Sequence, residues 1–337
     1  MNIKKLVTTV DAHTAGEATR IVTGGIPHIP GKTMTEKKMW IQAHLDDLRK
    51  MLMWEPRGHQ DMFGAILTAP ASEDAHTGVV FMDSGGYLDM CGHGSMGAAA
   101  VLVDTGMVSV DGLENGMAKK IILDTPAGKV TARVSIQEGG ADEVTVQNVP
   151  AFYYDTVEIK LAELGTIRVD ISYGGNFFAL VNVDQLKMPL ELSHLDQLKA
   201  LGLEIRDRVN NAISIVHPGT GKPARVDLTE IYQNGDPVKN MVIFGNGQVD
   251  RSPCGTGTCA KMAWLHEMGR LGVGETYHHA SMLNTLFTGK IAAETRVGDR
   301  PAIVPEITGR AHITGFHQFV AENKDPFKAG FLLSHQS

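Results

Sequence analysis

The chain reads CGHGSMGAAA from Cys91 to Ala100 and CGTGTCAKMA from Cys254 to Ala263. Both stretches fit C-G-x-G-[ST]-x-[GA]-x-x-A, and they begin 163 residues apart in a chain of 337. A repeat offset by half the length reads as two copies of one mixed α/β unit, each presenting a cysteine at the start of a helix. A weaker echo agrees, because His13 to Val22 and Tyr173 to Val181 occupy similar places in their halves. The length also suits two cores, since single cores tend to split beyond about 250 residues. The expected fold is therefore α/β (α+β) with two pseudo-symmetric domains. Residues 1–150, carrying Cys91, form the first, completed by about 323–337; residues 151–322, carrying Cys254, form the second.

Around the repeat, short β-branched runs predict many strands. These include LVTTV (6–10), TRIV (19–22), FGAILT (63–68), GVVFMD (78–83) and a hairpin of KIILD (120–124) with KVTARVSI (129–136) across the turn TPAG. TIRVDISY, FFALVNV, AISIV, ARVDLTEIY, MVIFG and AAETRV continue the pattern in the second half. Helices are fewer. Thr33 and Glu36 form a capping-box signature ahead of one helix that should run past Leu52 to Pro56. Another helix should start near Ser193. The two that matter run from Ser95 to about Val103 and from Thr258 to about Leu271.

Composition excludes several classes. At 43% apolar and 20% charged the chain is ordinary for a globular protein, and no apolar run nears the roughly 20 residues that span a bilayer. The start, MNIKKLVTTVDAHTAGE, is too weak for a signal peptide. Net charge is -7, with 31 basic residues scattered among 38 acidic ones, so neither nucleic acid nor membrane is an expected partner. Three cysteines are too few for a disulfide scaffold, and a cytoplasmic location would keep them reduced.

The turns themselves suggest chemistry. Gly-x-Gly after each cysteine clears side chains from the backbone, and the following helix offers unpaired N–H groups and a positive dipole end. Such a turn holds a carboxylate as readily as a phosphate, and the same partial charge should lower the pKa of its cysteine. Rival readings explain less. GHGSMG and GTGTCA match the dinucleotide-binding fingerprint, but Asp111 and Glu114, at the right distance for its acidic residue, follow no β-run. A metal held by Cys91, His93, Cys254 and Cys259 would lack the paired C-x2-C spacing of structural zinc. Burial as small hydrophobes suits Cys259, which has no counterpart in the first copy, but not two cysteines at matching helix starts. Two opposed thiols suit inversion at a carbon: one thiolate removes a proton and the other thiol delivers one from the far side.

MCGHGS (90–95) and DRSPCGTGT (250–258), with VDAHTAGE (10–17), RGHQDMFGA (57–65) and YGGNFFALV (173–181), resemble the proline racemase family along essentially the whole chain. The resemblance implies domains of the diaminopimelate-epimerase type, each a curved mixed sheet or barrel around a central helix, flanking a cleft. It also implies a homodimer and a cofactor-independent isomerase of small cyclic amino acids, with no metal. Carried over by position, Cys91 and Cys254 resemble the acid–base thiols. Gly92, His93, Gly255 and Thr256 resemble the residues around the substrate carboxylate, and Asp250 the acid that meets the ring ammonium. Family members that dehydrate trans-3-hydroxyproline typically have threonine at the second cysteine's place, so Cys254 argues against that activity. Phe63, Phe81 and Phe244 match aromatic positions that line the ring, which favours proline over 4-hydroxyproline, since a buried hydroxyl without a partner costs about 1 to 3 kcal/mol. From other classes, an inert carboxylate-binding protein and a nucleotide-dependent oxidoreductase remain as alternatives. No lysine stands out as a site for pyridoxal phosphate.

Overall fold

The computed structural model describes residues 3–333. Eight strands come first: β1 (Ile3–Thr14), β2 (Glu17–Gly24), β3 (Phe63–Thr68), β4 (Thr77–Asp83), β5 (Tyr87–Leu88), β6 (Ala118–Thr125), β7 (Gly128–Gln137) and β8 (Gly140–Gln147). There follow β9 (Phe152–Leu161), β10 (Gly165–Tyr173), β11 (Phe177–Asn182), β12 (Ile215–Val216), β13 (Pro223–Ala224), β14 (Val226–Gln233), β15 (Val238–Phe244) and β16 (Gln248–Val249). The last four are β17 (Thr276–Ala280), β18 (Leu286–Val297), β19 (Arg300–Gly309) and β20 (Ala311–Glu322). The α-helices are α1 (Met34–His44), α2 (Asp46–Met53), α3 (Gly92–Asp104), α4 (Leu195–Ala212) and α5 (Gly255–Glu267).

Contacts divide the chain into two compact units, one built from the residues up to Val146 together with those from Arg310 onward, the other from Gln147–Gly309. In the first, the strand order is β20, β1, β2, β3, β4, β6, β7. Successive pairings are antiparallel, antiparallel, parallel, antiparallel, parallel and antiparallel. In the second, the order β9, β10, β11, β14, β15, β17, β18 repeats that sequence of pairings step for step. Two copies of one fold are the result, with β20 taking in the first the place that β9 takes in the second. The segment 323–337, expected to complete the first domain, has its end at 334–337 outside the described residues; within the described part, Phe331 N–H donates to Glu55 O at 2.8 Å.

Each sheet curls around one helix. α3 touches β1, β2, β3, β6, β7 and β20, and α5 touches β9, β10, β11, β18 and β19. Both helices are apolar or small nearly all round, the pattern of a fully enclosed helix; α3 is buried from Gly92 to Val103 and α5 from Gly255 to Leu265. The opposite face of each sheet carries a second helical layer. Ile41, Leu48 and Leu52 of α1 and α2 pack with Val22, Ile66 and Val80, and Leu198, Ile205 and Val209 of α4 pack with Ile171, Ile231 and Ile243.

The mixed α/β expectation is borne out, with local differences. Thr33 Oγ1 accepts from Glu36 N–H at 3.1 Å, as a capping box requires, but Glu36 Oε2 reaches the N–H of Lys32 rather than that of Thr33. The single helix expected to Leu52 breaks at Leu45 (φ -125°, ψ 14°), where Asp46 starts α2 and pairs forward with Arg49 and Lys50. AISIV shrinks to the two residues of β12 because Leu198, Gly202, Ile205 and Val209 hold one buried stripe that carries α4 to Ala212. α3 and α5 begin three residues earlier than expected, directly after each cysteine.

Candidate active site

Cys91 is the N-cap of α3, and its Sγ accepts from Gly94 N–H at 3.4 Å. Cys254 is the N-cap of α5, and its Sγ accepts from Gly257 N–H, also at 3.4 Å. The next turn repeats as well: Ser95 Oγ donates to Cys91 O and Thr258 Oγ1 to Cys254 O, both at 2.7 Å. A hydroxyl four residues on and a sulfur accepting the third amide thus fix both thiols at helix starts, where free N–H groups and the dipole meet.

The surroundings of the two thiols differ. Cys91 Sγ lies 3.2 Å from His93 Nδ1. The imidazole is fixed in turn by Phe63, edge-on with ring centroids 4.5 Å apart, and its backbone by Thr14, whose hydroxyl donates to His93 O at 2.9 Å. Phe63 and Phe81 are buried with centroids 6.2 Å apart. The structure therefore brings Cys91, Gly92, His93, Phe63 and Phe81 together at the start of α3.

In the second unit, Asp250 Oδ1 accepts from the N–H and the hydroxyl of Ser252 at 2.8 and 2.7 Å, and Ser252 Oγ accepts from Cys254 N–H at 3.1 Å. Asn240 Nδ2 donates to Pro253 O at 2.8 Å. These bonds hold Cys254 at φ 63°, ψ 114°, a left-handed conformation that costs a non-glycine residue about 1 to 3 kcal/mol and persists only where its surroundings enforce it. Thr256 Oγ1 lies 3.7 Å from Cys254 Sγ. Gly255 and Thr256 form the buried first turn of α5, and half-buried Phe244 ends β15. The end of β10 braces α5 from the side, where Ser172 Oγ donates to Ala260 O at 2.7 Å.

One electrostatic expectation is overturned. Burial, reinforced by the nearby Asp250 carboxylate, raises the Cys254 thiol well above its ordinary pKa, against the lowering effects of Gly257 N–H and Thr256. A helix end is worth at most about 2 kcal/mol to a charge, and removing a thiolate from water costs more. Cys259, inside α5, is pushed up to about 12 by burial, against the lowering effect of Asn148, and packs in the core. All three cysteines are free. Among the described residues no group of three or more His, Cys, Asp or Glu is arranged to hold a metal.

Fold and site together define a duplicated α/β protein with one capping thiol on the central helix of each unit. A family model described as proline racemase matches residues 9–332, and the chain belongs to that family. It is 48% identical over 339 residues to a proline racemase from Clostridioides difficile, covering 99% of this chain and all of the relative. It is 42% identical over 337 residues to a 4-hydroxyproline 2-epimerase from Streptosporangium roseum, with 99% and 100% covered. The fold matches a solved hydroxyproline epimerase from Agrobacterium vitis, with bound trans-4-hydroxy-L-proline, at a TM-score of 0.90 and 30% identity over 99% of this chain and 97% of that one.

Proposed function

We propose that this protein interconverts L- and D-proline without a cofactor, with Cys91 and Cys254 as the two acid–base groups. The observation that carries the reading is the duplicated helix start, in which sulfur, third amide and fourth-residue hydroxyl recur with the same distances. One cysteine enters as thiolate and takes the Cα proton; the other enters as thiol and gives its proton to the opposite face of the planar carbanion. The product leaves with inverted configuration, and the thiols have exchanged their protonation states. In the reverse direction their roles exchange.

The first-turn backbone at Gly92, His93, Gly255 and Thr256 suits the substrate carboxylate, because helix-start amides stabilise anions and the additional charge of the carbanion. Asp250 suits the ring ammonium, and its bonds to Ser252 hold its carboxylate in place. Phe63, Phe81 and Phe244 supply apolar surface for the methylenes of the ring. The assembly we propose is a homodimer in the cytoplasm, where free thiols persist.

The same mechanism serves a 4-hydroxyproline 2-epimerase, the name of one relative at 42% identity. The phenylalanines favour proline, since beside them a ring hydroxyl lacks a partner. A chiral assay with L-proline, D-proline and both 4-hydroxyproline epimers separates the two. Proline should turn over at least about tenfold faster, as 1.4 kcal/mol of discrimination implies; rapid turnover of hydroxyproline with none of proline would sink the choice.

A further inference from the structure

α5 is enclosed on every side, yet it carries a lysine. Lys261 is 1% exposed, with Nζ 2.8 Å from the ring centroid of Tyr232 and 4.0 Å from that of Trp264, and with no hydrogen-bond partner. Strand alternation explains what it faces. On β14, Thr229 turns to α4, where its hydroxyl donates to Gly202 O at 2.7 Å, and Ile231 enters the outer core. Glu230 and Tyr232 consequently face the other way, toward α5. Glu230 is 0% exposed, and neither carboxyl oxygen has a hydrogen-bond partner. Its Oε1 is 3.5 Å from Nε2 of His279, itself 0% exposed, whose Nδ1 lies 3.0 Å from Thr258 Oγ1.

This cluster reaches the thiol through Gly257. A Cβ at that position would lie 2.8 Å from Glu230 Oε2 and 3.3 Å from Cys254 Sγ, so carboxyl and sulfur face each other across the space of one methyl group. The matching glycine of the first unit, Gly94, would place its Cβ 2.9 Å from Phe81 and 3.0 Å from Phe63. Behind Cys91 the backing is aromatic carbon that never changes charge. Behind Cys254 it is a group that does.

We propose that Glu230, held with Lys261 and His279 beneath the start of α5, is a positioning residue for Cys254, whose charge adds to burial and Asp250 in setting how readily that thiol gives up its proton. The proposal rests on the acid–base role assigned to Cys254 above. Facing Glu230 are Lys261 from α5, Cys254 at its N-cap, His279 from β17, Asn240 from β15 and Tyr232 on its own strand; Tyr277, Asp170, Arg168, Arg270 and Asp250 are the further charges and titratable groups around them.

The cluster is poised to change charge near neutrality. Burial pushes Glu230 up to about 8 against the opposing pull of Lys261 and Asn240, and pushes Lys261 down to about 7. His279 is driven to about 3 by burial and by Lys261, and so stays neutral. The sign follows directly. Below about 8 Glu230 carries its proton and leaves Cys254 alone; above it, the carboxylate opposes a thiolate across Gly257 and holds the thiol protonated.

The test is the pH dependence of iodoacetamide alkylation at Cys254, mapped by mass spectrometry in a Cys91→Ser chain without substrate. Glu230→Gln should move the midpoint down by about one pH unit, the size expected of one charge at this range in a protein interior. Glu230→Asp, which keeps the charge but draws the carboxyl back from Gly257, should move the midpoint down by less. An unshifted midpoint in folded Glu230→Gln overturns the proposal, even where turnover falls uniformly at every pH. If Glu230→Gln does not fold, an unshifted midpoint in Glu230→Asp overturns it equally. Absence of racemase activity would refute the function proposed above and leave the alkylation result standing.

Discussion

Cys91→Ser and Cys254→Ser should each lower kcat/KM for proline racemisation by about a thousandfold or more, while leaving the fold in place. A positioned acid–base group is worth about 10² to 10⁴ in rate, and a serine hydroxyl ionises too weakly to replace a thiolate at neutral pH. The fold tolerates the change, because an N-cap serine accepts the third amide as well as or better than sulfur does, and the bonds to Cys91 O and Cys254 O come from Ser95 and Thr258. Because racemisation has an equilibrium constant of unity, each variant loses the same factor in both directions. Circular dichroism with a chiral assay checks both points. A variant retaining full activity removes that cysteine from the mechanism.

The second large effect is on stability. Gly174→Ala should destabilise the second unit by about 3 kcal/mol and lower its melting temperature by about 10 °C. A Cβ there would stand 2.1 Å from Thr256 O and 2.5 Å from Ala260 N, both backbone atoms of α5 that cannot yield without moving the helix. Turnover should fall with stability, since Thr256 lies in the first turn after Cys254. Gly86→Ala, where a Cβ meets nothing within 4 Å, is the control and should change neither by much. Differential scanning calorimetry of the two variants decides the matter; equal melting temperatures would show that the turn does not brace the helix.

The duplicated architecture was legible because it is written locally. Cysteine, glycine, small residue and glycine at a helix start form a contiguous pattern, and repetition at half the chain length identifies two units. Phe63, edge-on to His93, and Phe81 beside it were within reach only through the family resemblance, because both stand in continuous apolar strands where no alternation singles them out. Strands with mixed signals were not. β19 contains Pro301 and Pro305, which read as breaks, and the exposed residues of β20 hide its alternation. That β20 pairs with β1 is a matter of topology over three hundred residues, beyond any local pattern.

The electrostatics of the site were the least legible part. A helix start announces a lowered thiol pKa, but the direction at Cys254 is decided by burial and by Asp250, which depend on how the unit folds. Glu230 was invisible for the same reason. It sits 24 residues before Cys254 in an ordinary amphipathic strand, and only pairing of β14 with its neighbours sets its carboxyl beneath Gly257. Lys261 did leave a signal, a lone cation in the otherwise apolar run CAKMAWL from Cys259 to Leu265. A charge inside a helix buried on all sides must be paired, neutralised or boxed by aromatic rings.

The most direct test of two-thiol catalysis is isotope wash-in. L-Proline is incubated with the protein in D2O without added cofactor and stopped at early conversion, and both enantiomers are separated and weighed by mass spectrometry. With one cysteine removing the Cα proton and the other delivering a solvent-derived one, the D-proline formed carries deuterium at Cα and the recovered L-proline carries none. Deuterium entering L-proline as fast as D-proline forms would mean a single base serving both faces, and would contradict the account.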